Sequence, residues 1–221
     1  MSKRKRNKLI DNVKRYHELA VSCNQSKSGF NWYENYNKLF NSLSASYNIP
    51  IEKTVGVSSA LSPSIPWNRA VQYTQFALSN QFTKVKCYTS QIDKAKAILN
   101  LPSDNKFFTL RDTTLIPDIL HGNKTVSFYY NLLLEDTDHV TLDRHAIRII
   151  YDIPKNQSNL PLANSIMSNK NKYEKHCDVY RSASNELGYS KAYQLQAITW
   201  DYFTKHGYKQ LCFNCNQTTL L

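Results

Sequence analysis

Apolar side chains return every three or four positions along most of this chain, and glycine occurs only five times in 221 residues. That spacing is the period of one face of an α-helix. A strand needs strict alternation, and sheets spend glycine at turns and bulges. The stripes are Leu9, Val13, Tyr16 and Ala20; Trp32, Tyr36, Leu39 and Leu43; Ala70, Tyr73, Ala77 and Leu78; and Ile92, Ala95, Ile98 and Leu99. Three more follow: Phe128, Tyr129, Leu132 and Leu133; Tyr173, Cys177, Tyr180 and Leu187; and Ala192, Leu195, Thr199 and Tyr202. Gly188 stands where the sixth stripe should stop, Ser190 is the expected N-cap of the seventh, and Gly207 its expected end. The spacing predicts an all-α fold.

Three stretches break the pattern and are expected to connect helices. Residues 22–30 are small and polar, residues 100–106 hold Pro102 and Asp104, and residues 152–171 hold Pro154, Pro161 and many Asn and Ser. The third is expected to carry one short helix at most. No internal repeat is present. Residues 1–8, with the run Lys3-Arg4-Lys5-Arg6, are expected to be a disordered basic arm, and residues 9–221 a single bilobal helical domain.

Charge points to the partner. Lys and Arg number 28 against 17 Asp and Glu, a net +11, with a pI near 9.4. Such a surface suits a polyanion, because each neutralised phosphate releases condensed counterions. The mean hydropathy of −0.54 and the lack of a long apolar run exclude a membrane-spanning helix. Met1 is followed by basic residues without an apolar stretch, so no secretory signal is expected. The expected location is cytoplasmic: nucleoid-associated, or the cytoplasm of a host. The five scattered cysteines are then free thiols. Cys212 and Cys215 have the spacing of half a zinc site, but no second pair lies nearby in sequence, so no metal is expected.

The segment that carries chemistry runs from Ile116 to Leu134 and continues from His139 to Arg148. A short helix is expected to end near Leu120, turn through His121-Gly122-Asn123, and restart at about Lys124. A glycine turn feeding a helix N-terminus presents free backbone N–H groups that suit a phosphate oxygen. Asp143 follows the extended-looking Val140-Thr141-Leu142 and precedes a helical stretch, which places it near a helix start where the dipole favours the anion.

These residues resemble the helix-hairpin-helix DNA glycosylase superfamily, which includes endonuclease III and the 8-oxoguanine glycosylases. The family pattern Leu-Pro-Gly-x-Gly-x-Lys-Thr, then Val-Asp-Thr-His-x-x-Arg, is matched by Gly122, Lys124, Thr125, Asp143, His145 and Arg148, with the lysine and aspartate 19 positions apart. Upstream, Ser59-Ala60-Leu61-Ser62-Pro63 leading into Trp67-Asn68-Arg69-Ala70 looks like the family's helix start that enters DNA. Gln91 to Leu99 looks like its Lys-Ala-x-x-Ile helix. The resemblance covers about residues 55–150. Leu120 stands in place of the first hairpin glycine, the usual Gln after Leu-Ser is absent, and the iron–sulfur cysteine spacing is missing, so no cofactor is expected.

The resemblance implies a two-lobed helical fold with the hairpin at about 112–134 and with Lys124 and Asp143 in a cleft. It implies a monomer that binds duplex DNA with a flipped-out base. Asp143 would stabilise the oxocarbenium sugar and help deprotonate the nucleophile. Lys124, at a helix N-terminus, would attack C1′ as a free amine, form a Schiff base and then nick the strand. His121, Gly122, Asn123, Thr125, Ser62 and Arg69 would contact DNA, with His145 and Arg148 as structural support. Trp67, Tyr129 and Trp200 are expected in the core. Two other readings use the same residues: a transferase of this fold acting on hypermodified thymine in DNA, or a non-catalytic hairpin that only clamps phosphate. The Asn-, Lys- and Tyr-rich composition fits an AT-rich viral or bacterial genome.

Overall fold

A computed structural model describes residues 2–102, 115–134 and 138–206, and every regular element among them is helical. The chain divides into two compact units, residues 1–33 with 136–221, and residues 34–135.

The first unit contains α1 (Lys3–Ser22), α2 (Ser26–Phe30), α9 (Arg144–Tyr151), α10 (Leu160–Met167), α11 (Lys170–Glu186) and α12 (Ala192–His206). The α1 stripe Leu9, Val13, Tyr16 and Ala20 is buried with Ile10 against Tyr173, Cys177 and Tyr180 of α11, Leu195 and Phe203 of α12, and Ile149 and Ile150 of α9. Full burial of side chains of this size contributes about 1.5–3 kcal/mol each, enough to hold a helix whose exposed face is strongly polar. On α9, Ile147 turns instead to Ala163 and Ile166 of α10. Burial pushes the Cys177 thiol and the Tyr180 phenol far above their ordinary pKa, so both remain neutral packing groups.

Three expectations for this unit are corrected. The basic run at Lys3–Arg6 is not a disordered arm but the opening of α1, capped by Ser2, whose hydroxyl accepts from the Lys5 N–H. Residues 22–30 are not all connector, because Ser26–Phe30 form α2. Gly29 lets α2 lie directly on α12; a Cβ there would be 2.4 Å from the Cα of Ile198. Gly188 does end α11, two residues after Glu186, at φ +76. Ser190 is not an N-cap, since α12 starts at Ala192 and the Ser190 hydroxyl points to the Gln194 side chain. Gly207, Cys212 and Cys215 lie outside the described residues.

The second unit contains α3 (Trp32–Tyr47) from its third residue onward, α4 (Ile51–Leu61), α5 (Trp67–Leu78), a 3-10 turn (Phe82–Lys84), α6 (Thr89–Leu99), α7 (Leu115–Leu120) and α8 (Asn123–Leu133). Its axis is α4, buried at every position from Lys53 to Leu61 and packed on α5, α6, α7 and α8. Buried Lys53 is accommodated because its ammonium donates to the carbonyls of Leu99, the last residue of α6, and of Leu101 just past it. Trp67 sits edge-on to Tyr36, Phe40 and Phe128, and Tyr129 is fully buried, so both are core residues.

Candidate functional site

In the second unit, α7 and α8 are joined by only two residues. Leu120, in place of a glycine, is the buried last residue of α7, so the reversal falls on His121 at φ 51 and Gly122 at φ 75. Gly122 is the N-cap of α8 and brings no side chain to it. A Cβ at Gly122 would meet nothing within 4 Å, so the backbone angle, not space, selects glycine. The N–H groups of Asn123, Lys124 and Thr125 have no acceptor among the described residues, and the first such pairing is Val126 N–H to the Gly122 carbonyl at 3.2 Å. A bare N-terminal turn of this kind offers donors and a positive dipole end to an anion.

The expected contact residues of this unit divide. His121 and Gly122 are exposed, while Asn123, Lys124 and Thr125 are half-buried in the first turn of α8. The Lys124 ammonium engages no partner among the described residues. Thr125 lines a cavity of about 260 Å³ with Pro63, Ser64, Gln91, Lys94 and Leu120. Ser62 and Arg69 do not start one helix. Ser62 is the C-cap of α4, its hydroxyl donating to the Ser59 carbonyl at 3.1 Å, and Arg69 is the exposed third residue of α5. Residues 62–66 are a loop with Ser64 at φ 63, since the pair Pro63 and Pro66 interrupts helical bonding there.

In the first unit, Asp143 is the N-cap of α9. Its position is set by the preceding extended segment, which Tyr173 grips at two points. The Tyr173 hydroxyl accepts from Leu142 N–H at 3.0 Å and donates to the Val140 carbonyl at 2.9 Å. One carboxylate oxygen, Oδ1, accepts from His145 N–H and Ala146 N–H, both at 2.8 Å. The other, Oδ2, accepts from the indole Nε1–H of Trp200 at 2.9 Å. Three N–H donors therefore face one half-buried carboxylate, a set that suits an anion.

Trp200 is accordingly not plain core. It is half-buried, and Trp32, also half-buried, meets it edge to face with ring centroids 6.2 Å apart. His145 packs on Trp200 and Phe203, burial holds its imidazole below the ordinary histidine range, and its Nδ1 has no partner among the described residues. Arg148 donates to the Pro154 carbonyl and so ties the end of α9 to the following loop. Trp200 was not recognisable as a partner of Asp143 because 57 residues separate them and the apolar stripe of α12 absorbs a tryptophan without remainder.

Among the described residues, no group of three His, Cys, Asp or Glu side chains is placed to hold a metal, and no helix is long and apolar enough to cross a membrane. Residues 1–206 match a family of unknown function, DUF7178. The chain belongs to that family. Comparison with curated proteins and with solved structures finds no match. DUF7178 membership thus extends over both units and all described residues, and assigns them no chemistry.

Proposed function

We propose that this protein is a DNA glycosylase that flips a damaged or modified base out of the duplex and excises it, with an associated strand-nicking activity. The observation that carries the reading is Asp143, a half-buried carboxylate receiving three N–H donors beside two half-buried indoles. In sequence it follows by 19 positions a lysine in the first turn of a glycine-entered helix. A carboxylate at this position stabilises the positive charge that grows on the sugar as the N-glycosidic bond lengthens. The bare first turn of α8 and the net charge of +11 support a phosphate partner.

In this reading Lys124, after giving up a proton, attacks C1′ through its amine nitrogen. The base leaves with the electron pair of the glycosidic bond and takes up a proton. The nitrogen lone pair then expels the ring oxygen O4′, which takes up a proton, leaving a protonated Schiff base; loss of a C2′ proton into that electron sink expels the 3′ phosphate and breaks the strand. Flipping the target costs a few kcal/mol, least for a mismatched or damaged base.

Duplexes bearing a panel of damaged and hypermodified bases test the reading by mass spectrometry of released and altered bases. The expected outcome is a released base and a borohydride-trapped covalent adduct, with trapping abolished by Lys124→Gln and release suppressed by Asp143→Asn. Release without nicking in Lys124→Gln makes water the nucleophile and leaves Asp143 as the main group. An altered rather than released base points to transfer chemistry, and full activity in both variants refutes the site.

A further inference from the structure

We infer that the first two turns of α1, together with the adjoining middle of α11 about Lys175, form a second nucleic-acid contact surface that tracks the phosphate backbone. Lys3, Arg4, Lys5, Arg6 and Lys8 are all exposed, and no acidic residue occurs on α1 before Asp11. Cations packed one after another at a helix N-terminus repel each other and oppose the helix dipole. In isolation this order costs stability, and an anion laid along it removes the cost.

The ridge is fixed in place. Leu9, Ile10, Val13 and Tyr16 bury the same helix in the core of the first unit, and the Arg6 guanidinium donates to Ser182 of α11. Lys5 is near enough to α11 for its charge to act on His176, and exposed Lys175 is the neighbour of His176 in the chain. The acids of α11 are already engaged. Arg181 pairs with Glu174 at 3.2 Å and Asp178 at 2.9 Å, and Lys14 pairs with Glu186 at 2.8 Å. They leave the positive ridge uncompensated.

A basic helix can also adsorb to an anionic membrane, but firm anchoring there needs a free apolar face to enter the lipid. Here the apolar stripe of α1 is consumed by the core, so the ridge offers charge alone, which is what a phosphate backbone takes. The inference deepens the proposed function and takes its partner from it, but it does not depend on the chemistry of Lys124 or Asp143.

The test is the salt dependence of binding to an unmodified 20-base-pair duplex by the full chain and by the variant Lys3→Ser, Lys5→Ser, Lys8→Ser. Each lost phosphate contact lowers the slope of log affinity against log salt by about 0.9. The slope is expected to shrink by about 2–3 while the melting temperature holds or rises, and Lys→Arg at the same positions is expected to restore it. Vesicles of phosphatidylglycerol are expected to bind neither form. An unchanged slope in the folded Ser variant, a duplex that the wild type does not bind, or vesicle binding that depends on the three lysines overturns the inference. If the wild type binds duplex with the ridge-dependent slope but releases no base from the panel, the excision reading fails and the ridge stands. If base is released and the Ser variant keeps the full slope, the ridge alone fails.

Discussion

Asp143 performs two jobs that substitution can separate. As N-cap it satisfies two backbone donors of α9, and as a carboxylate it carries charge beside Trp200. Asparagine keeps a capping oxygen, so Asp143→Asn is expected to lose little stability, whereas Asp143→Ala is expected to cost about 1 kcal/mol in denaturant titration. Both should lack base release. Trp200 acts through Asp143, as a positioning residue. Trp200→Phe is expected to slow release on the order of tenfold, about 1.4 kcal/mol in the barrier. The side-chain N–H resonance of Trp200 is expected to move in Asp143→Asn while the other indole resonances hold. A rate unchanged in Trp200→Phe would reduce the hydrogen bond to packing.

At the scale of helices, two glycines carry opposite demands. Gly29 is a matter of space: a Cβ there would lie 2.4 Å from Ile198 Cα and 2.8 Å from its backbone nitrogen. Those atoms cannot rotate away, so α2 must lift from α12. Gly29→Ala is therefore expected to destabilise by about 3 kcal/mol, read from the urea midpoint. Gly122 is a matter of angle, with φ 75 and open space around it. Gly122→Val is expected to cost about 1–2 kcal/mol of left-handed strain and to leave the protein folded. Because it distorts the turn that presents the α8 N–H groups, it is also expected to weaken duplex binding. A stable Gly29→Ala, or a Gly122→Val that binds as tightly as wild type, would contradict these assignments.

Across the whole molecule, protonation couples to stability through histidine. Burial holds His17, His139, His145 and His176 below the ordinary histidine pKa near 6.5. The unfolded chain then binds protons that the folded chain refuses as pH drops through that value. Stability is expected to be fully present above about pH 6.5 and to decline progressively below it, toward the depressed folded values. Melting temperatures across pH 5–8 check this, and a flat profile would show that these imidazoles are free to charge in the fold.

The helical class, six of the seven stripes, the stop at Gly188, the turn at His121-Gly122 and the helix start at Asp143 were all legible in the sequence, because each depends on residues within one or two turns of each other; on α3 the buried face is Tyr33, Phe40 and Leu43 rather than the stripe from Trp32. What escaped it has a common cause. α4 shows no one-sided stripe, since it is buried from Lys53 to Leu61 and has no solvent face to mark. Ser26–Phe30 has the composition of a loop and is helical where Gly29 allows contact with the Ile198 backbone. The basic run at Lys3 looks unstructured by charge alone, yet Leu9 and Ile10 anchor the helix that contains it. The hydrogen bond from Trp200 to Asp143 joins residues 57 positions apart, and only packing of α9 and α12 against a shared core brings such groups within 2.9 Å. Local periodicity is written in neighbours along the chain; who faces the carboxylate was decided by burial.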